Sequence, residues 1–124
     1  MKATPMRCPD FEADVRLLLP EEGGLPKVFQ GMRPDFHYDG ADAAEGLWMI
    51  RPIFIDEVGE DIPDRQQIPQ RAMAHFYIIN QELRKTVHRQ RLREGTRFQL
   101  QYGRRVIAQG RVTKLLRLHH DDEI

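Results

Sequence analysis

Short stretches in which apolar and polar residues alternate recur along the chain, and glycine or proline separates them. Residues 11–19 alternate with period two until Pro20, and residues 98–102 do the same until a turn at Gly103. This period is typical of β-strands that bury one face. The chain has 124 residues, which leaves room for one modest domain. We therefore expect a small all-β fold.

Six segments of strand length are spread along the chain. They cover residues 11–19, 35–38, 47–55, 73–79, 98–102 and 106–112. Residues 80–93 alone have a helical composition, with Leu83 and Val87 spaced four apart among basic residues. A small open sheet leaves exposed edges, and closure into a barrel removes them. The predicted fold is a six-stranded antiparallel β-barrel with one short basic helical insertion.

Composition excludes several classes of enzyme. The chain has no serine, and no glycine is followed by lysine, which excludes a serine nucleophile and a P-loop. Its one cysteine, Cys8, cannot form an internal disulfide. The five histidines lack the spacing of a zinc enzyme. We expect a protein that is not an enzyme and that uses no cofactor and no metal.

The chain shows no signal for export or for a membrane. Its N-terminus lacks an apolar signal segment, and no stretch approaches the ~20 apolar residues of a membrane span. We expect a cytoplasmic protein with no membrane partner. The expected organisation is an N-terminal lead over residues 1–9, the barrel over 10–118 and a polar tail over 119–124.

Negative and positive charge are separated along the chain. Residues 1–64 contain six Lys or Arg and fourteen Asp or Glu, whereas residues 65–124 contain thirteen and five. The basic half could pair with the acidic half across the barrel wall, or it could remain free for an acidic partner. Composition alone does not decide between these two interpretations.

Several motifs follow one another in a fixed order. They read F-E-A-D-V at residues 11–15, P-E-E-G-G at 20–24, F-Q-G-M-R-P-D-F at 29–36, E-G-T-R-F at 94–98 and G-R-R-V-I-A-Q-G-R-V at 103–112. Their order and spacing resemble the third, C-terminal domain of bacterial translation elongation factor Tu. There the segments read F-E-A-x-V, E-E-G-G, F-x-G-Y-R-P-Q-F, E-G-x-R-F and G-G-R-T-V-G-A-G-V-V. The resemblance implies the same six-stranded barrel, here as a free-standing homologue without the GTPase domain.

The resemblance also implies a binding function. In the elongation factor this domain is not catalytic; it packs on the GTPase domain, contacts the T-stem of aminoacyl-tRNA and helps to bind the exchange factor. The family has glutamine and arginine where this sequence has Asp35 and Asp39. Carboxylates at those positions repel a phosphate backbone. The first hypothesis is therefore a module that recognises a protein partner, such as a translation component, and we expect no GTP binding.

The alternative hypothesis is an RNA- or tRNA-binding module that uses the basic second half. A third interpretation is that the arginines only pair with the acidic half and solvate the surface. The candidate binding residues, for protein or RNA, are Arg33, Arg84, Lys85, Arg89, Arg91, Arg93, Arg104, Arg105 and Arg111.

Overall fold

Six strands form one antiparallel sheet. The structure is a computed structural model that describes residues 8–40 and 48–120. The strands are β1 (Phe11–Leu17), β2 (Asp35–Tyr38), β3 (Ile50–Ile55), β4 (Arg71–Ile78), β5 (Arg97–Tyr102) and β6 (Arg105–Leu115). Their order across the sheet is β2-β5-β6-β1-β4-β3, and each neighbouring pair is antiparallel. The predicted all-β class is confirmed.

The strand bounds follow the alternating segments closely. The first strand ends at Leu17 rather than at residue 19, and Pro20–Glu22 then form a 3₁₀ turn. The third strand begins at Ile50; Leu47, where it was predicted to begin, lies outside the described residues. Most of the predicted lead and tail, residues 1–7 and 121–124, also lies outside them.

The long strand β6 makes the sheet curl. Its register shifts against β1 between Glu12 and Ala13, and against β5 between Leu100 and Gln101. Bulges of this kind bend a strand and increase its twist. The outer strands consequently approach each other at Phe36 of β2 and Trp48, just before β3, whose backbones exchange hydrogen bonds of 2.9 and 2.8 Å.

Phenylalanine rings from four strands fill the inside of the curl. The four rings belong to Phe11, Phe36, Phe76 and Phe98, all of them buried. Phe11 stacks on Phe76 with ring centroids 4.8 Å apart, and Phe36 stacks on Phe98 at 4.6 Å. Large rings dominate the free energy of burial in a small core. This cluster therefore joins strands from both halves of the chain.

A helical connection, α1, joins β4 to β5. It begins with an α-helical turn over Gln81–Leu83, continues as a π-helix over Arg84–His88 and ends with α-helical residues Arg89–Arg91. The side chain of Asn80 caps it by accepting a hydrogen bond from the Leu83 N–H at 3.0 Å. The predicted helical insertion is present. In residues 8–40 and 48–120, no helix has the length and apolar character needed to cross a membrane.

Candidate binding surfaces

Arg84 lies inside the protein and not on the predicted basic surface. Its Nε donates to Asp10 Oδ1 at 2.7 Å, and both side chains are 0% exposed. Asp10 Oδ2 accepts from the Ile78 N–H at 2.8 Å. Arg84 Nη2 donates to the backbone oxygens of Arg117 and His120, the latter at 2.6 Å. Enclosed in this way, the Arg84 guanidinium cannot reach an external ligand. The prediction of Arg84 as a binding residue is therefore wrong.

Two further arginines of α1 make contacts within the protein. Arg89 donates from Nε to the Leu118 oxygen at 2.7 Å and from Nη2 to the His120 oxygen at 3.0 Å. The Arg91 guanidinium lies 4.0 Å from the centroid of the Tyr38 ring, within the range of a cation–π interaction. Both side chains are half-buried. They hold the segment after β6 and the end of β2 against α1.

His88 is the other buried polar residue of α1. Its Nδ1 lies 2.6 Å from the Tyr38 hydroxyl, and its ring meets the Trp48 ring edge-on with centroids 5.0 Å apart. Burial, and then the positive charge of Arg91, lower the pKa of His88 to about 4, while Asp10 opposes the shift. The imidazole is therefore neutral at pH 7.

The remaining cations predicted on this connection are exposed. Lys85 and Arg93 both face solvent, and the contact that the Arg93 side chain makes within residues 8–40 and 48–120 is a long one of 3.5 Å from Nη1 to the Leu92 oxygen. Of the five basic candidates predicted between residues 80 and 93, these are the two whose charges lie fully on the surface. The candidate residues of the helical connection thus leave only Lys85 and Arg93 as exposed charges among the five.

Three predicted residues lie at the end of the sheet where a turn joins β5 to β6. Arg104 and Arg105 line a shallow hollow that includes Tyr102. Tyr102 also lines a neighbouring hollow that includes Phe29 and Arg33. We call the surface formed by the residues that line these two hollows the hairpin-end surface.

Exposed rings, guanidinium groups and carboxylates meet on the hairpin-end surface. Tyr102 is 47% exposed and Phe29 is 38% exposed. Tyr102 continues the alternation of buried Phe98 and Leu100, but it lies at the end of β5, where the core ends. The carboxylates of Glu22 and Asp64 lie in the two hollows. Neither ring was predicted as a binding residue, although Tyr102 shows a usable signal, an aromatic residue at the last strand position before a glycine turn.

One carboxylate of this surface is fixed in place. Glu22 Oε1 accepts from the Leu19 N–H at 2.7 Å and from Arg16 Nη1 at 3.2 Å. The bond from the Leu19 backbone, followed by the bond from Arg16, lowers the pKa of Glu22. Glu22 therefore carries a negative charge at neutral pH in the hollow that holds Arg104 and Arg105, and this charge is paired with Arg16.

The last predicted residue, Arg111, lies elsewhere. It is exposed on β6 and lines a groove on the outer face of the sheet together with Arg97 and Asp14. Arg33 has a second environment as well, because it borders an apolar hollow that contains exposed Met49 and Ile79. The predicted residues thus occupy separate places and do not form one patch.

In the described part of the chain, no group of three or more His, Cys, Asp or Glu residues could hold a metal ion. No protein-family model matches this sequence, and a search of curated proteins finds no match to it.

Proposed function

We propose that this protein is a non-catalytic binding module that recognises a protein partner through the hairpin-end surface. The observation that carries the proposal is the position of Tyr102, whose exposed ring lines both hollows with arginines on each side. Tyrosine and arginine are the side chains that most often dominate the binding energy of protein interfaces. A half-exposed tyrosine loses little conformational freedom on binding, since it has only two side-chain torsions.

The charges on this surface favour a protein over a nucleic acid. Glu22 and Asp64 lie in the same hollows as the arginines. A phosphate backbone is repelled by carboxylates, whereas a protein surface can present both charges in a complementary arrangement. The partner we propose therefore has mixed charge and an apolar pocket or groove for the Tyr102 ring.

We further propose that the curled sheet closes as a barrel like that of the third domain of elongation factor Tu. The pair of backbone hydrogen bonds between Phe36 and Trp48 supports closure, since it joins the two outer edges of the sheet. The motif resemblance supports a partner among the components of translation in the bacterial cytoplasm. GTP has no role in this proposal.

RNA binding is the alternative function, and the exposed rings are the observation that favours it. Tyr102 and Phe29 would stack on unpaired bases, while Arg33, Arg104 and Arg105 would contact phosphates. Such binding depends steeply on salt: six to ten phosphate contacts lose roughly 10³- to 10⁵-fold in affinity between about 50 and 200 mM salt. A protein interface centred on a tyrosine does not show that slope.

Native capture with the tagged protein separates the two functions. The lysate is divided into RNase-treated and untreated halves, and bound protein and RNA are identified in both. The wild type is compared with Tyr102→Ala and with the control Val58→Ala. The control removes an apolar side chain that is 79% exposed, against 47% for Tyr102, from the loop after β3, outside both hollows.

We expect a protein partner that survives RNase, is retained by Val58→Ala and is lost by Tyr102→Ala. Recovery of RNA alone, with proteins lost after RNase treatment, would support the alternative. A partner retained equally by Tyr102→Ala would contradict the role of the hairpin-end surface.

A further inference from the structure

A groove of about 330 Å³ lies on the outer face of the sheet. It shares no lining residue with the two hollows of the hairpin-end surface. Its floor crosses β5, β6 and β1, whose outward-facing residues form two rows in register. We call it the outer-face groove, lined chiefly by Arg97, Gln99, Gln109, Arg111, Asp14 and Arg71.

Two arginines stand directly opposite each other in this groove. Arg97 of β5 pairs in register with Arg111 of β6, and both are exposed. Like charges directly opposite each other destabilise an antiparallel pair. Among residues 8–40 and 48–120, neither guanidinium has a hydrogen bond or an ion pair. The sheet thus places two uncompensated cations side by side.

The carboxylates of the groove leave this positive charge in place. Asp14 lies opposite Arg111 in the register, but its Oδ2 accepts from Arg71 Nη1 at 3.3 Å. Asp39 meets Arg97 through the backbone, its N–H donating to the Arg97 oxygen at 3.0 Å. The lining contains four arginines and two aspartates, so the groove carries a net positive charge.

The next row of the register adds neutral donors. Gln99 and Gln109 face each other across β5 and β6. Gln109 Oε1 accepts from Arg16 Nη2 at 3.2 Å, which leaves the two N–H groups of the Gln109 amide for another partner. Two guanidinium forks with an amide beside them suit an oxyanion that accepts several hydrogen bonds at once.

We infer that the outer-face groove binds a phosphate group, free or as a small phosphate monoester, between Arg97 and Arg111. Phosphate carries enough charge to compensate both arginines and enough oxygens to accept from both. A small ligand fits better than an RNA strand, because Asp14 lies on one side of the arginine pair and Asp39 on the other. A continuous phosphate backbone would have to pass one of these carboxylates.

Thermal unfolding of the full chain tests this site. The melting temperature is measured in inorganic phosphate, in glycerol phosphate and in chloride, all at matched ionic strength. We expect a saturable increase with phosphate over chloride; a concentration ten times the Kd multiplies the folding equilibrium constant by about eleven. A larger increase with glycerol phosphate would identify a monoester as the ligand, and an equal or smaller one would identify free phosphate. Identical melting temperatures in all three salts would overturn the inference.

Variants test whether the increase in melting temperature with phosphate arises in the outer-face groove. The double variant Arg97→Gln with Arg111→Gln is expected to lose the phosphate response. Its melting temperature in chloride should equal or exceed that of the wild type, since the repulsion between the arginines is removed. Arg93→Gln, an exposed arginine outside the groove, is the matched control and should keep the response. A response that persists in the double variant, or that disappears in the control, would refute the site.

Discussion

Arg84 connects three parts of the chain through one buried side chain. It forms an ion pair with Asp10, which accepts a hydrogen bond from the Ile78 N–H. It also donates to backbone oxygens in the segment after β6. Arg84→Met leaves the Asp10 carboxylate buried without its cation, so we expect the free energy of unfolding to fall by about 3–5 kcal/mol. Urea unfolding measures this. Lys85→Met, at the exposed neighbouring position, should change it by less than about 0.5 kcal/mol, and a similarly small effect of Arg84→Met would contradict the buried pair.

His88 makes stability depend on pH. Its pKa is lowered from 6.5 to about 4 in the folded protein, so between these values the unfolded chain binds more protons at this site. The contribution of neutral His88 to the stability of the folded protein is fully present above about pH 6.5, and it is lost as the pH falls towards 4. We expect a loss of about 1–3 kcal/mol from this residue, measured by urea unfolding at a series of pH values. His88→Gln keeps a hydrogen-bonding side chain next to Tyr38 and should flatten this part of the profile; an unchanged slope would show that another group is responsible.

The packing of strand β6 against β5 requires a glycine at position 110. Gly110 lies opposite Phe98 in the register, and a Cβ added to Gly110 would overlap the Phe98 ring. Gly110→Ala should therefore lower the free energy of unfolding by about 1–3 kcal/mol through overpacking. The same substitution in a Phe98→Leu background should cost much less, because the smaller side chain gives way. Thermal or urea unfolding measures the free energy of unfolding for each member of this double-mutant cycle. Additive changes in that free energy would exclude the proposed contact.

The bulges of β6 also mark where prediction from the sequence failed. Alternation over residues 106–112 predicts that Val106, Ala108, Gly110 and Val112 lie on one face of the strand and Ile107 on the other. In the structure Ile107 and Ala108 are both buried, because the register shift against β5 puts an extra residue into β6 here. Period-two patterning carries no signal for such an insertion, since the bulge depends on the partner strand.

For the whole molecule, the sequence predicted the strands better than the surface. Residues 35–38 and the hairpin of β5 and β6 were predictable because their apolar positions repeat locally. The grouping of Arg33 with Arg104 and Arg105 depends on the sheet order, in which β2 lies beside β5. Arg84 was misplaced because a buried arginine within a basic helix resembles a solvated one until its partner, Asp10, is known.

The affinity of the RNase-resistant partner for two variants tests the central claim most directly. The dissociation constants of wild type, Tyr102→Ala and Val58→Ala are measured with the purified partner. A tyrosine at the centre of an interface contributes about 2 kcal/mol or more, so we predict at least a roughly 30-fold weaker Kd for Tyr102→Ala. Val58→Ala should bind within about threefold of wild type. Equal affinities of the two variants would contradict recognition through the hairpin-end surface.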